Sequence, residues 1–397
     1  MMKGKIGHAS TSRGLTLVEL MVALVIGLVI SIGVFEVFSA TRVSYQLDEG
    51  LARAQENGRF AMEFLTQDIR HAGHLGCRRS PKIFNNLNSP GDLLYPVTGV
   101  IAFEYSYAPT GPGTTYNAAT VTPNNSTTAL NWTPALNLDY VKPDGALPGS
   151  DVIAVQRLSA TTMPLKDPFV DKDTVYVQPE YVDGTRDKVA PGDILMLSDC
   201  REAAIFQVTD VDTSTGALSH AAGAGTPGNR CGAWEQNVTG SSNASGSACT
   251  ELFASPQAQV EIGRLETVVF YVAKDPTSGQ PTLFRNVFNA SMTPGPGQAL
   301  VEGVENLQVL YGIDNGLSQD GIPDIYVSAD NVTNPAQIVS VKIGVLVHGI
   351  NSAGTDNDTT VDTEVYNVAG TNIDPTPDDK LRRRVFSTTI QLRNRSF

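Results

Sequence analysis

An α+β architecture, with a long N-terminal helix packed on an elaborated antiparallel β-rich globular head, is predicted by two observations. From Leu15 to about Leu75 there is no proline, and the pattern passes from uniformly apolar to amphipathic near Thr41. From residue 80 onward the chain reads as strand-like segments broken by turn-rich stretches, in a sequence with 36 Gly and 23 Pro among 397 residues. A hydrophobic content of 41% is ample for a core, so these turns punctuate a folded head.

The first element is apolar. Residues 13 to 20 read RGLTLVEL and open an uncharged run from Leu20 to Phe35. The segment from Leu15 to Phe35 rises about 32 Å at 1.5 Å per residue, which matches a bilayer core of about 30 Å. Lys3, Lys5 and Arg13 precede it, which keeps the N-terminus in the cytoplasm and exports the head. One acid, Glu19, sits at the mouth of the span. A charge buried in a bilayer costs roughly 2.5 to 3.5 kcal/mol on insertion scales, so something must compensate it. An ordinary secretory signal is cleaved at small residues after its apolar region, where this chain offers only the weak Val37/Ser39 pair.

Beyond the span, Leu47, Leu51, Ala54, Ala61, Leu65, Ile69 and Ala72 recur at spacings of mostly three or four, a stripe on one helical face that should pack on the head. Arg53, Glu56, Arg59, Glu63 and Arg70 occupy other faces. Gly73, Gly76 and Pro81 end the helix. The strand candidates are Val152–Arg157, Thr174–Gln178, Asp193–Ser198, Ala203–Thr209, Leu265–Ala273, Thr282–Phe288, Val304–Ile313, Ile325–Ala329, Ile338–His348 and Arg384–Arg393. In the last, Phe386, Thr388, Ile390 and Leu392 share one face and Ser387, Thr389 and Gln391 the other. Stretches at 108–135, 221–249, 289–299 and 351–379 are rich in Thr, Asn, Gly, Pro and Asp and read as surface loops.

The formal net charge of -13 argues against a nucleic-acid partner, since phosphate binding relies on clustered Lys and Arg. Cys77, Cys200, Cys231 and Cys249 all fall in the exported part, where oxidation to disulfides is favoured over metal ligation. Four cysteines allow three pairings. Cys231 with Cys249, which flank a Gly, Ser and Asn-rich loop, is the favoured pair, leaving Cys77 with Cys200 to tie the helix end to the sheet. A bridge over such a loop contributes about 3 kcal/mol in the chain-entropy model.

No enzyme function is expected: the chain has no GxSxG nucleophile elbow, no HExxH zinc motif and no GxxxxGK[ST] phosphate loop. No cofactor is expected either, with one exception to weigh. The stretch DNGLSQDGIPD, residues 314 to 324, is a degraded calcium loop in which Asp314, Asp320 and Asp324 remain as ligands; the plainer reading is an acidic turn between strands. His71 and His74 share a helix face without a third ligand and read as surface or packing residues. Arg382, Arg383 and Arg384 read as a charged strand edge rather than as a patch for an acidic partner.

Arg13, Gly14, Leu15 and then Glu19, five residues after the glycine, resemble the type IV prepilin signal. That resemblance implies a leader of residues 1–14, cleavage between Gly14 and Leu15 by a prepilin peptidase, N-methylation of Leu15, and pairing of Glu19 with the terminal amine of a neighbouring subunit during assembly. Leu15 stands where the family more often has phenylalanine, and Glu36 where many major pilins have a helix-kinking proline. The stretches RFAMEFLTQDIRHAGHLGC (59–77), LVEGVENLQVLYGID (300–314) and LRRRVFSTTIQLRNR (381–395) are similar to the PilW family of minor pilins, which is related to the J-type minor pseudopilins of type II secretion.

On that resemblance the chain divides into the leader 1–14, a transmembrane half-helix 15–40, an amphipathic half-helix 41–76 and a pilin-like head 77–397. It implies a subunit of a priming and tip complex that initiates pilus assembly and supports adhesion and twitching motility. The implied partners are other minor pilins, the major pilin and a PilY-type tip adhesin. The implied location is the inner membrane with a periplasmic head before assembly and the pilus tip afterwards. A J-type pseudopilin, or a membrane-anchored periplasmic binding protein or hydrolase, is the alternative.

Overall fold

A computed structural model describes residues 16–76, 82–88, 99–105, 115–117, 132–141, 145–166, 173–186, 188–199, 202–223, 227–231, 235–237, 249–251, 260–288, 297–316, 318, 320–349, 364–375 and 381–394. Gly14, Leu15, Cys77 and Cys200 lie outside them, as do most of the low-complexity stretches.

One unbroken helix, α1 (Leu17–Arg70), runs for 54 residues. Its first half is apolar and exposed on all sides, with Leu17, Leu24, Leu28, Phe35 and Phe38 among the exposed residues. Two hydroxyls within it are satisfied locally, as lipid favours: Ser31 Oγ donates to Gly27 O at 2.8 Å and Thr41 Oγ1 to Val37 O at 2.8 Å. The second half carries a buried stripe of Ala54, Ala61, Leu65 and Ile69, continued past the helix end by Ala72, as its spacing predicts. The helix stops at Gly73, whose positive φ of 66° a side chain would resist.

The head is built from two principal sheets. The larger contains β1 (Lys82–Asn85), β2 (Val100–Tyr105), β3 (Trp132–Thr133), β4 (Val152–Pro164), β5 (Ile194–Ser198), β6 (Glu202–Gln207), β7 (Glu261–Lys274), β8 (Pro281–Phe288) and β9 (Gln298–Glu302). Its order is β1-β6-β5-β7-β4-β2-β3, with β8 also on β7 and β9 on β8. The long strand β7 divides one edge between two partners: Glu261–Arg264 pair with β5 and Thr267–Lys274 with β8. All these ladders are antiparallel except β1 with β6.

The second sheet has the order β11 (Ile325–Val327), β10 (Val304–Ile313), β12 (Ile338–His348), β13 (Arg383–Gln391) and is antiparallel throughout. β10 and β12 are largely apolar and buried on both faces, although β10 also buries Asn306 and Gln308. In β13 the expected alternation holds: Ser387, Thr389 and Gln391 are exposed while Phe386 and Ile390 turn inward. One continuous core joins Leu65 and Ile69 of α1 to Ile153 and Val155 of β4, Val268 and Phe270 of β7, and Val309, Ile343 and Ile390 of the second sheet. The helix is thus an integral layer of the head. Fully burying a Leu or Ile contributes about 1.5 to 3 kcal/mol, so this stripe holds the stem on the head.

The charged strand edge expected at Arg382–Arg384 is corrected in its centre. Arg383 is buried and grips Glu305 of β10 with two hydrogen bonds, Nε to Oε2 at 2.6 Å and Nη2 to Oε1 at 2.9 Å. A bidentate pair of this kind fixes geometry as well as charge. Only Arg382 and Arg384 face solvent.

Candidate functional site

The N-terminal site is built on the first turn of α1. Thr16 is the N-cap, with φ -77° and ψ 151°, and Glu19 is at N3, together forming a capping box. Glu19 Oε2 accepts from Thr16 N at 2.9 Å and from Thr16 Oγ1 at 2.9 Å, while Glu19 N donates to Thr16 Oγ1 at 3.3 Å. The amide donors at a helix start have no intrahelical acceptor, so a carboxylate here is favoured by hydrogen bonding and by the helix dipole. Glu19 is therefore partly compensated within its own chain. The sequence reading missed this, although Thr-x-x-Glu over residues 16 to 19 is the ordinary capping-box pattern. Among the described residues, both bonds that Glu19 accepts fall on Oε2.

The stem is tied to the larger sheet by a second carboxylate that sequence reading missed. Asp68, in the last turn of α1, takes Arg157 Nη1 of β4 on Oδ1 at 2.9 Å and Arg285 Nε of β8 on Oδ2 at 2.9 Å. An acid at a helix C-terminus opposes the helix dipole, so local preference alone does not place it there. Its position is explained by two arginines that lie far away in sequence.

Of the cysteines, Cys231 is fully buried and disulfide-bonded. Cys249 opens the short strand Cys249–Glu251, which pairs antiparallel with Glu235–Asn237.

The acidic turn uses its carboxylates on its own backbone. Asp314 Oδ2 accepts from Gly321 N at 2.8 Å, Asp320 Oδ1 from Ile322 N at 3.0 Å, and Asp324 Oδ2 from Gly316 N at 2.7 Å and Asn315 N at 3.0 Å. Among the described residues, no group of three or more His, Cys, Asp or Glu converges as a metal site. His71 and His74 are both exposed at the helix end. Residues 223–228 read GAGTPG, a Gly-x-Gly-x-x-Gly spacing, but no helix follows them among the described residues.

A third unforeseen feature is a carboxyl pair in the seam between the sheets. Asp151 is buried, and its Oδ1 and Oδ2 accept from Tyr105 N at 3.1 Å and Val309 N at 2.9 Å. Its own N–H donates to Leu307 O at 2.8 Å, so one residue stitches β2 and β10 to the start of β4. Glu104 of β2 hydrogen-bonds to it side chain to side chain. Burial first, then the neighbouring charges of Asp151 and Asp330, raises Glu104 well above the usual carboxylate range. Burial likewise raises Asp151, against the lowering effect of its two backbone donors. Both carboxyls therefore hold their protons to higher pH than isolated ones.

Comparison with known proteins bears on both ends of the chain. Residues 10–35 match the prokaryotic N-terminal methylation motif, and residues 269–394 match the family of type IV pilus-assembly protein W, PilW. Together the two matches support a PilW-type minor pilin. The methylation motif implies a substrate of prepilin peptidase and a pilus component, anchored in a membrane by α1. The PilW match takes in β8 to β13 and the second half of β7, so the second sheet, Arg383 and the acidic turn all lie within the matched segment. A type IV-like pilin from Thermus thermophilus is similar at 12% identity and a TM-score of 0.21, over 53% of this chain and 88% of that one. No curated protein matches.

Proposed function

We propose that this minor pilin is a low-copy subunit that helps to start assembly of a type IV pilus and stays at its tip. The observation that carries the reading is the combination at the N-terminus of α1: a first half exposed and apolar, with the carboxylate of Glu19 at N3 accepting through Oε2. Cleavage after Gly14 frees the amine of Leu15, and Glu19 then takes the amine of a neighbouring stem. The pairing removes an uncompensated charge from lipid, so it favours the assembled state over the free one.

The tip location is argued from size. Helical stems pack at roughly 8 to 10 Å between axes, whereas a head of about 320 residues has a radius of gyration of about 20 Å. Repetition along a shaft forces such heads to overlap, while one copy at the growing end has open space outward. Other minor pilins, the major pilin and a PilY-type adhesin are the partners this position calls for.

Two disulfides complete the reading. Gly76 lies against Ser198, whose Cβ is 3.7 Å from where a Cβ on Gly76 would stand. Cys77 comes directly after Gly76, Cys200 lies two residues after Ser198, and the strands they precede, β1 and β6, run parallel from that end. This supports a Cys77–Cys200 bridge between stem and sheet, leaving Cys231 to Cys249.

Antibody-gold labelling of sheared pili tests the proposal: label confined to ends is expected, with loss of piliation and twitching in a deletion strain. Dense label along the shaft, or normal piliation without the gene, overturns it. Lost exoprotein secretion with intact twitching assigns the chain instead to a pseudopilus.

A further inference from the structure

A groove of about 910 Å³ runs between the second half of α1 and the end of β13, with Met62, Thr66 and Phe386 among its lining. Its charged lining is one-sided: Arg59, Arg70 and Arg393 border it, together with His71 and His74, against the lone carboxylate of Glu63. All three arginines are exposed, and none makes an ion pair or a side-chain hydrogen bond among the described residues. Several other arginines of the head are engaged, Arg157 and Arg285 by Asp68, Arg264 by Asp193 and Arg383 by Glu305, while Arg382 and Arg384 face solvent away from the groove lining. In a chain of net charge -13, three unpaired guanidiniums beside one groove are a local reversal of sign.

We infer that this groove is a docking site for an acidic, extended segment of a partner protein. Length favours a segment over a small anion, because Arg59 and Arg70 are about 16 Å apart along the helix axis at 1.5 Å per residue. That is the reach of about five residues of extended chain. Height excludes the membrane surface as the source of negative charge. The span gives way near Thr41, and Arg59 stands about 27 Å farther along the axis, beyond the Debye length of about 8 Å over which lipid charge acts at physiological salt. Duplex DNA is disfavoured by the acidic remainder of the head, which repels phosphates flanking the short basic strip. The inference holds for any protein partner and does not depend on which filament the chain serves.

Fluorescence anisotropy of the full chain in neutral detergent micelles tests it, with a labelled twelve-residue peptide of alternating Glu and Ser as the probe. Saturable binding is expected, absent for the Gln-for-Glu peptide. It should weaken about tenfold when Arg59, Arg70 and Arg393 are all replaced by Ala, as expected of three exposed ion pairs together. Arg53→Ala, which removes a paired arginine outside the groove, should leave it unchanged. No saturable binding, equal binding by the triple variant, or arginine-dependent binding of duplex DNA or anionic vesicles tighter than that of the peptide overturns the inference.

Discussion

Replacing Asp68 by Asn should loosen the stem from the head more than any exposed charge substitution on α1. The side chain of Asp68 is 9% exposed and holds Arg157 and Arg285, whose side chains are 19% and 24% exposed. The amide keeps the volume of the carboxylate but has no charge, and its NH2 group turns a donor toward guanidinium donors. Breaking a buried pair by removing one partner costs about 3 to 5 kcal/mol. The lower end applies here, because both arginines keep part of their hydration and Arg157 retains Glu266 at 3.6 Å. About 3 kcal/mol corresponds to a fall in Tm of roughly 4 to 5 °C for a head of about 320 residues. The reference is Arg53→Ala, which breaks an exposed i,i+4 pair with Glu49 at 2.8 Å and should cost at most about 0.5 kcal/mol. Thermal unfolding of both variants in detergent micelles, monitored by near-UV circular dichroism, makes the comparison. An Asp68→Asn shift no larger than that of Arg53→Ala would show that the network does not hold the stem.

Glu19→Ala should leave membrane insertion intact, since alanine enters lipid more easily than glutamate, while lowering incorporation into pili; failed insertion or normal incorporation contradicts the role given to Glu19. The Glu104–Asp151 pair makes stability fall with pH. Both groups are raised in the folded head, so their contribution is fully present below the ordinary carboxylate range and is lost as pH climbs toward about 7 for Asp151 and about 9 for Glu104. Melting temperatures between pH 5 and 9.5 should therefore decline less in Glu104→Gln than in the native chain, and equal slopes count against a raised Glu104. Non-reducing peptide maps of periplasmically produced protein should link Cys77 with Cys200 and Cys231 with Cys249; any other pairing refutes the proximity argument drawn from Gly76 and Ser198.

The fold was legible where burial leaves a periodic or continuous apolar trace. The stripe from Ala54 to Ala72 marks the helix face in the core, and β10 and β12 have the bounds their β-branched and apolar residues suggest. Strands β1, β2 and β9 escaped notice because they are short and border turn-rich sequence. Strand order was not legible at all, since pairing of β7 with both β5 and β8 along one edge depends on contacts between distant segments. The same reason hides the charges that matter most to the head. Arg383 sits in a run of three arginines that reads as surface, yet its partner Glu305 is 78 residues away. Asp68 is one acid among several on an amphipathic helix until β4 and β8 bring up Arg157 and Arg285. At the N-terminus the reverse holds: Glu19 was identifiable from its isolation in an apolar run, and even its capping partner Thr16 was there to be read.

The central claim is that α1 is the stem of a processed and assembled pilin subunit, and the N-terminus of the mature chain tests it most directly. Mass spectrometry of the protein recovered from sheared pili should find a chain that begins at N-methylated Leu15, and Gly14→Val should leave the precursor uncut in the membrane. A mature terminus near Ala40, or an unprocessed Met1 in the assembled fraction, would contradict the account.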